Sequence, residues 1–153
     1  MKIVHEPELS PASRNRIELG VDLHNIAVTG LDAFATPNFT LREPSGEVRG
    51  GLIGEIWGGW MHVSYLWVDT ALRHRGWAGK LLRAAERYAA ARGVHDVSLE
   101  TFSFQARPFY EAQGYEVFAT LDDFPPGHQK HFLRKKITTE GRRGSRRKRS
   151  EAL

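Results

Sequence analysis

Residues 66–82 read LWVDTALRHRGWAGKLL. An apolar run closes at Val68 and a polar turn follows. Arg73-His74-Arg75-Gly76-Trp77-Ala78-Gly79-Lys80 then leads into apolar residues at 78, 81, 82, 85 and 89. That spacing is the stripe of an amphipathic helix. The stretch reads as a strand, a basic glycine-containing loop and a helix start. The first backbone N–H groups of a helix lack internal acceptors, and the helix dipole adds partial positive charge there. Phosphate is a natural ligand of such an end. Gly76 has no Cβ to hold a ligand away from the backbone. Arg73, Arg75 and Lys80 add positive charge.

Two nucleotide motifs are excluded. Gly76 and Gly79 stand too close for GxxxxGK[ST], and Leu81 follows the lysine. GxGxxG is absent. What remains is R-x-x-G-x-A after a strand, on Arg73, Gly76 and Ala78. It resembles the acetyl-CoA loop of the GNAT superfamily of N-acetyltransferases, [Q/R]-x-x-G-x-[G/A]. A second stretch, FQARPFYEAQGY at 104–115, is similar to the family's A-x-x-[FL]-Y-x-x-x-G-[FY]. Ala106, Phe109, Tyr110, Gly114 and Tyr115 hold those places. The two motifs stand in the family's order, with a predicted strand between them.

The rest of the chain fits that order. Met1–Glu6 alternates weakly and is a short strand candidate. Ser10-Pro11 starts a helix over 11–28, with Ile17, Val21 and Val28 on one stripe, and Gly30 stops it. Phe39–Arg42 and Val48–Trp57 flank a Pro/Gly turn and read as a hairpin. Gly58-Gly59 turns the chain into a third strand, Trp60–Val68. A helix over 76–92, a strand over 94–101, a short helix over 105–113, and strands over 115–121 and 130–137 follow. A strand–helix–strand crossover predicts that 94–101 lies parallel beside 60–68. The fold class expected is α/β of the α+β-like kind. It is a mixed, mostly antiparallel sheet with helices on both faces, to which the resemblance adds a splayed-strand acetyl-CoA slot. The resemblance implies the GNAT fold over about four-fifths of the chain, residues 11–137.

The chain has 153 residues and no cysteine, so disulfides and thiolate chemistry are excluded. No apolar run is long enough for a membrane span, and the N-terminus has no signal-peptide apolar core. A cytoplasmic protein is expected. The net charge of +4 sits in the tail: nine Lys/Arg and two acids fall from Arg134 onward, leaving about −3 before it. The domain expected is therefore 1–137, followed by a basic, disordered tail over 138–153. The tail reads first as a solubilising segment, and second as an arm for nucleic acid or an acidic partner.

The resemblance also implies chemistry. An amine attacks the thioester of acetyl-CoA in a ternary complex, and much of the rate comes from placing nitrogen against carbonyl. A base must deprotonate an ammonium of pKa about 10. A donor should stabilise the oxyanion, and an acid should protonate the departing thiolate. Tyr110 is the acid expected, since a phenol holds its proton at neutral pH. Leu66, Trp67 and Val68 would pair their backbone with the pantetheine arm. The loop from Arg73 through His74, Arg75, Gly76, Trp77, Ala78 and Gly79 to Lys80 would hold the pyrophosphate. Phe104 and Gln105 would line the slot.

The base is less legible. His62 and Ser64 share a face by alternation unless a bulge intervenes. His62 and Glu55 lead, against Glu100, Asp122, Asp123 and His128. His128-x-x-His131 has a spacing seen in metal-ligand pairs but no matching cluster, so no metal is expected. Loops 24–40, 57–62 and 121–131 would wall the acceptor. Their aromatic and acidic residues suit a cationic amine: a polyamine or an aminoglycoside-like sugar amine. A protein lysine or N-terminus, and a non-catalytic acyl-CoA module, are the alternatives. Homodimers are common in the family, and no feature of the sequence selects one.

Overall fold

The computed structural model describes residues 1–137. The expected tail, 138–153, lies outside them. The chain forms two compact units, residues 1–33 and residues from Phe34 onward.

The first unit holds helix α1, Pro11–Thr29. Ser10 caps it, its hydroxyl accepting from Ser13 N–H at 3.1 Å. Gly30, at φ 70°, ends it by donating to the Ile26 carbonyl at 2.7 Å. Both signals were local and both hold. The strand expected at Met1–Glu6 does not form, and Met1, Ile3 and Val4 are exposed. A strand needs a ladder partner, and one alternating isoleucine buries too little to hold one.

The second unit is a six-stranded mixed sheet in the order β1-β2-β3-β4-β6-β5. The strands are β1 Phe39–Arg42, β2 Val48–Trp57, β3 Trp60–Val68, β4 Asp96–Phe102, β5 Glu116–Asp122 and β6 Gln129–Lys136. The first three form the predicted antiparallel meander. Helix α2, Trp77–Ala90, carries the chain from β3 to β4. As the crossover requires, those strands pair in parallel, from Trp60↔Asp96 to Val63↔Leu99. Helix α3, Arg107–Ala112, leads into β5, and β6 returns between β4 and β5. The helix expected over 76–92 is shorter at both ends, because Gly76 caps it and the chain turns off after Ala90.

One face of the sheet forms the core. Met61, Val63, Val97 and Leu99 pack there with Leu81, Leu82, Ala85 and Ala89 of α2. The stripe read from the sequence is thus the buried stripe, except that Ala78 is only half-buried. Burial of such side chains is the main stabilising term, about 1.5–3 kcal/mol for each large aliphatic.

Two local features aim the strands. Between β2 and β3 the register runs Gly54↔Val63 and then Ile53↔Tyr65, so Ser64 is an extra, bulged residue. Gly54 sits against this bulge. A Cβ on it would stand 2.7 Å from the His62 carbonyl oxygen and 3.2 Å from Pro37 Cγ. The bulge breaks the alternation that had placed His62 and Ser64 on one face.

Candidate active site

Beyond Val63↔Leu99 strands β3 and β4 are no longer paired. β3 continues to Val68 against β2 alone, while β4 continues to Phe102 against β6. The divergence leaves two strand edges facing a cleft of about 840 Å³. Ser64, Leu66, Trp67 and Val68 line one wall, and Glu100 and Thr101 line the other. Arg73, His74, Gly76, Trp77, Ala78 and Gly79 close one end, and Phe104, Gln105, Phe109 and Tyr110 line the far side.

The loop follows from its residues. Asp69 accepts from Ala71 N–H at 2.8 Å and starts a single 3₁₀ turn, Thr70–Leu72. The Arg73 guanidinium folds back, its Nε donating to the Val68 carbonyl at 3.1 Å. His74 takes a left-handed φ of 60° and Gly76 one of 77°. Gly76 is the N-cap of α2, and no side chain caps that end. Nothing stands within 4 Å of where a Gly76 Cβ would be. The amides of the first turn thus have no side-chain acceptor, and Gly76, Trp77, Ala78 and Gly79 line the cleft.

Twelve of the residues read from the sequence meet there: Leu66, Trp67, Val68, Arg73, His74, Gly76, Trp77, Ala78, Gly79, Phe104, Gln105 and Tyr110. Arg75 in the loop and Lys80 in the first turn of α2 do not line the cleft. The Lys80 ammonium lies 4.1 Å from the Trp77 ring centre. Gln105 has a structural task besides: its Oε1 accepts from Phe102 N–H at 3.0 Å, closing the turn after β4.

Tyr110 is 7% exposed. Its ring meets Phe109 at 5.1 Å and Tyr115 at 6.0 Å between centroids. Burial raises its phenol pKa above the usual value of 10. Its backbone carbonyl accepts from Tyr115 N–H at 3.0 Å. Tyr115 is fixed in turn, donating its hydroxyl to Glu86 Oε1 at 2.9 Å, and Lys135 Nζ meets the same carboxylate at 2.9 Å. Burial first, then Glu86, pushes the Tyr115 phenol up strongly. Sequence reasoning named Tyr115 but not Glu86 or Lys135. An acidic residue on an otherwise apolar helix stripe was the available signal.

His62 and Glu55 face each other across β2 and β3. His62 points away from the α2 core, its Nδ1 3.0 Å from Ser98 Oγ on β4. Neither His62 nor Glu55 lines the cleft, whereas Glu100 does. Phe34 stacks on Trp57 at 6.0 Å. His24, Asn25 and Asp32 belong to the first unit. The His128-x-x-His131 pair separates: His131 is buried with its Nδ1 3.0 Å from Thr120 Oγ1, and His128 lies against the Phe104 ring at 4.9 Å. Among the described residues no group of three His, Cys, Asp or Glu could hold a metal.

A sequence model of the acetyltransferase (GNAT) family matches residues 12–115. The chain belongs to the GNAT family. It is 40% identical over 93 residues to the blasticidin-S acetyltransferase of Streptomyces morookaense, covering 60% of this chain and 68% of the relative. An acetyltransferase of Agrobacterium fabrum is 33% identical over 114 residues, 74% of this chain and 83% of that one. A crystal structure of an acetyltransferase from Bacillus cereus superposes with a TM-score of 0.75 at 28% identity, covering 88% of this chain and 98% of the other.

GNAT membership makes the chain an acetyl-CoA-dependent N-acetyltransferase. The cleft fits that co-substrate. It has an uncapped helix start for a pyrophosphate and free strand edges for an amide-bearing arm. The volume is of the size that holds an extended ligand.

Proposed function

We propose that this GNAT enzyme acetylates a primary amine of a small molecule, such as a polyamine or an aminoglycoside-like sugar amine. The observation that carries this is the relative named for acetylating blasticidin S, 40% identical and covered over 68% of its length. Residues 1–137 are read as the catalytic domain, with 138–153 dispensable for it.

Acetyl-CoA supplies the activated acyl group. The chain's own residues do the rest in this reading. The amides from Gly76 to Gly79 and the Arg73 side chain hold the pyrophosphate, and Arg75 and Lys80 add positive charge beside the cleft. The free edge of Leu66–Val68 pairs with the pantetheine amides, and Phe104 and Gln105 flank it. Orientation along that edge is the main source of rate. Tyr110 holds a proton for the departing sulfur, because its raised pKa keeps the phenol neutral across the working range. His62 or Glu55 accepts the amine's proton through water, since neither lines the cleft.

The test is a panel of amines assayed by CoA release, run on the full chain and on residues 1–137. Turnover of small amines by both supports the reading. Turnover of peptide amines alone refutes it in favour of a protein substrate. Tight CoA binding without turnover of any amine refutes catalysis by this chain.

A further inference from the structure

Lys130 is the second residue of β6, and its ammonium lies among three aromatic rings. Its Nζ contacts the Glu100 carboxylate. The same nitrogen lies 5.7 Å from the ring centre of Phe102 and 5.3 Å from those of Phe124 and Phe132. Three ring faces within about 6 Å of one cation, with a carboxylate beside it, make an ammonium cage. The Lys130 side chain is only 18% exposed. Nothing in the acetyl transfer derived above uses this cage.

The cage abuts the cleft. Glu100 lines both. Phe104, on the cleft wall, stacks on Phe102 with centroids 5.3 Å apart and planes 5° from parallel. Phe102 meets Phe124 edge-on at 5.7 Å. The acceptor has to approach the acyl end of this same cleft. A site with the chemistry an amine requires therefore stands at the cleft wall, filled by the chain's own amine. The lysine stem is flexible while its backbone is paired with Phe102 on β4 and Leu121 on β5, so its head can leave without disturbing the strand.

We propose that the Glu100, Phe102, Phe124 and Phe132 cage is a subsite for an ammonium group of the acceptor, and that Lys130 is its intramolecular competitor. This rests on the reading of the acceptor as a small cationic amine. Lys130 keeps the Glu100 carboxylate paired while no acceptor is bound. An entering ammonium takes over the same partners, and the Lys130 head moves to solvent. Acceptors with one ammonium besides the reacting nitrogen would gain most.

The test uses spermidine as the probe and the full chain saturated with CoA, with binding read by calorimetry. In Lys130→Ala the cage is open, and the spermidine Kd is expected to fall about tenfold. In Lys130→Arg, which keeps a cation in place, it is expected to stay unchanged. Should the alanine variant not fold, Lys130→Met removes the charge at similar length and is expected to shift Kd the same way. A Kd that is unchanged or weaker in the charge-removing variant overturns the proposal, as does absence of spermidine binding to every variant. The amine panel is read separately: its failure refutes acetyl transfer to small amines, while the Kd comparison still decides the cage.

Discussion

Replacing Tyr110 by phenylalanine removes one oxygen and little else. Among the described residues the phenol makes no hydrogen bond to the protein, and the one buried side-chain nitrogen or oxygen without a partner is Arg49 Nε. The Tyr110 hydroxyl thus faces the cleft. Its ring contacts with Phe109 and Tyr115 are those a phenylalanine keeps. Stability should therefore change by less than about 0.5 kcal/mol. The effect on chemistry should be much larger. A hydrogen bond to a charged group contributes about 1.5–3 kcal/mol, and each 1.36 kcal/mol is about tenfold in rate. The expected loss in kcat is about 10- to 150-fold, with little change in KM for acetyl-CoA. Because burial raises the Tyr110 pKa, the phenol stays protonated throughout an ordinary assay range. The ratio of wild-type to variant kcat should be flat with pH. Steady-state CoA release at saturating acetyl-CoA, with a melting curve for each protein, makes the measurement. A folded variant with unchanged kcat would remove Tyr110 from the mechanism.

Four further outcomes are expected. Gly54→Ala brings a Cβ to 2.7 Å from the His62 carbonyl beside the Ser64 bulge; it should cost about 1–3 kcal/mol by denaturant melt and weaken CoA binding as the strand end shifts. Glu86→Ala strips the partner from Lys135 and Tyr115, and should destabilise by about 3 kcal/mol in the same assay. Charge reversal at Arg75 should weaken CoA binding in a salt-dependent way with the fold intact, and at Arg73 it should also lose the bond to the Val68 carbonyl. If both reversals leave CoA affinity unchanged, the loop has been misassigned. Above pH 10 the unfolded chain releases phenol protons that folded Tyr110 and Tyr115 retain, because both folded pKa values are raised. Stability should hold below that pH and fall above it, by about 1.4 kcal/mol per pH unit for each phenol, as alkaline melts would read.

Much of the fold was legible because its signals are local. Ser10 with Pro11 and Gly30 bound α1, and the turn after Trp57 sets the β2–β3 hairpin. The stripe on α2 named its own buried face. The parallel pairing of β3 and β4 followed from chirality of the crossover. The strand expected at the N-terminus failed for the opposite reason: pairing is a property of two segments, and the alternation of one cannot supply the other.

The site divides along the same line. By itself the sequence determined the helix-start loop, the Tyr110 helix and hence the family, since each rests on residues a few positions apart. Only the tertiary structure decided the rest. The Ser64 bulge arises between β2 and β3, and it ended the shared face of His62 and Ser64. The Glu86 anchor of Tyr115 joins α2 to the strand-leading turn across 29 residues. The ring of phenylalanines about Lys130 draws on β4, the last hairpin and β6. Spacing along a helix or strand fixes neighbours within about one turn or one pleat. Which strand edge lies open and which carboxylate meets which amine depend on contacts between distant segments, and no local period records them.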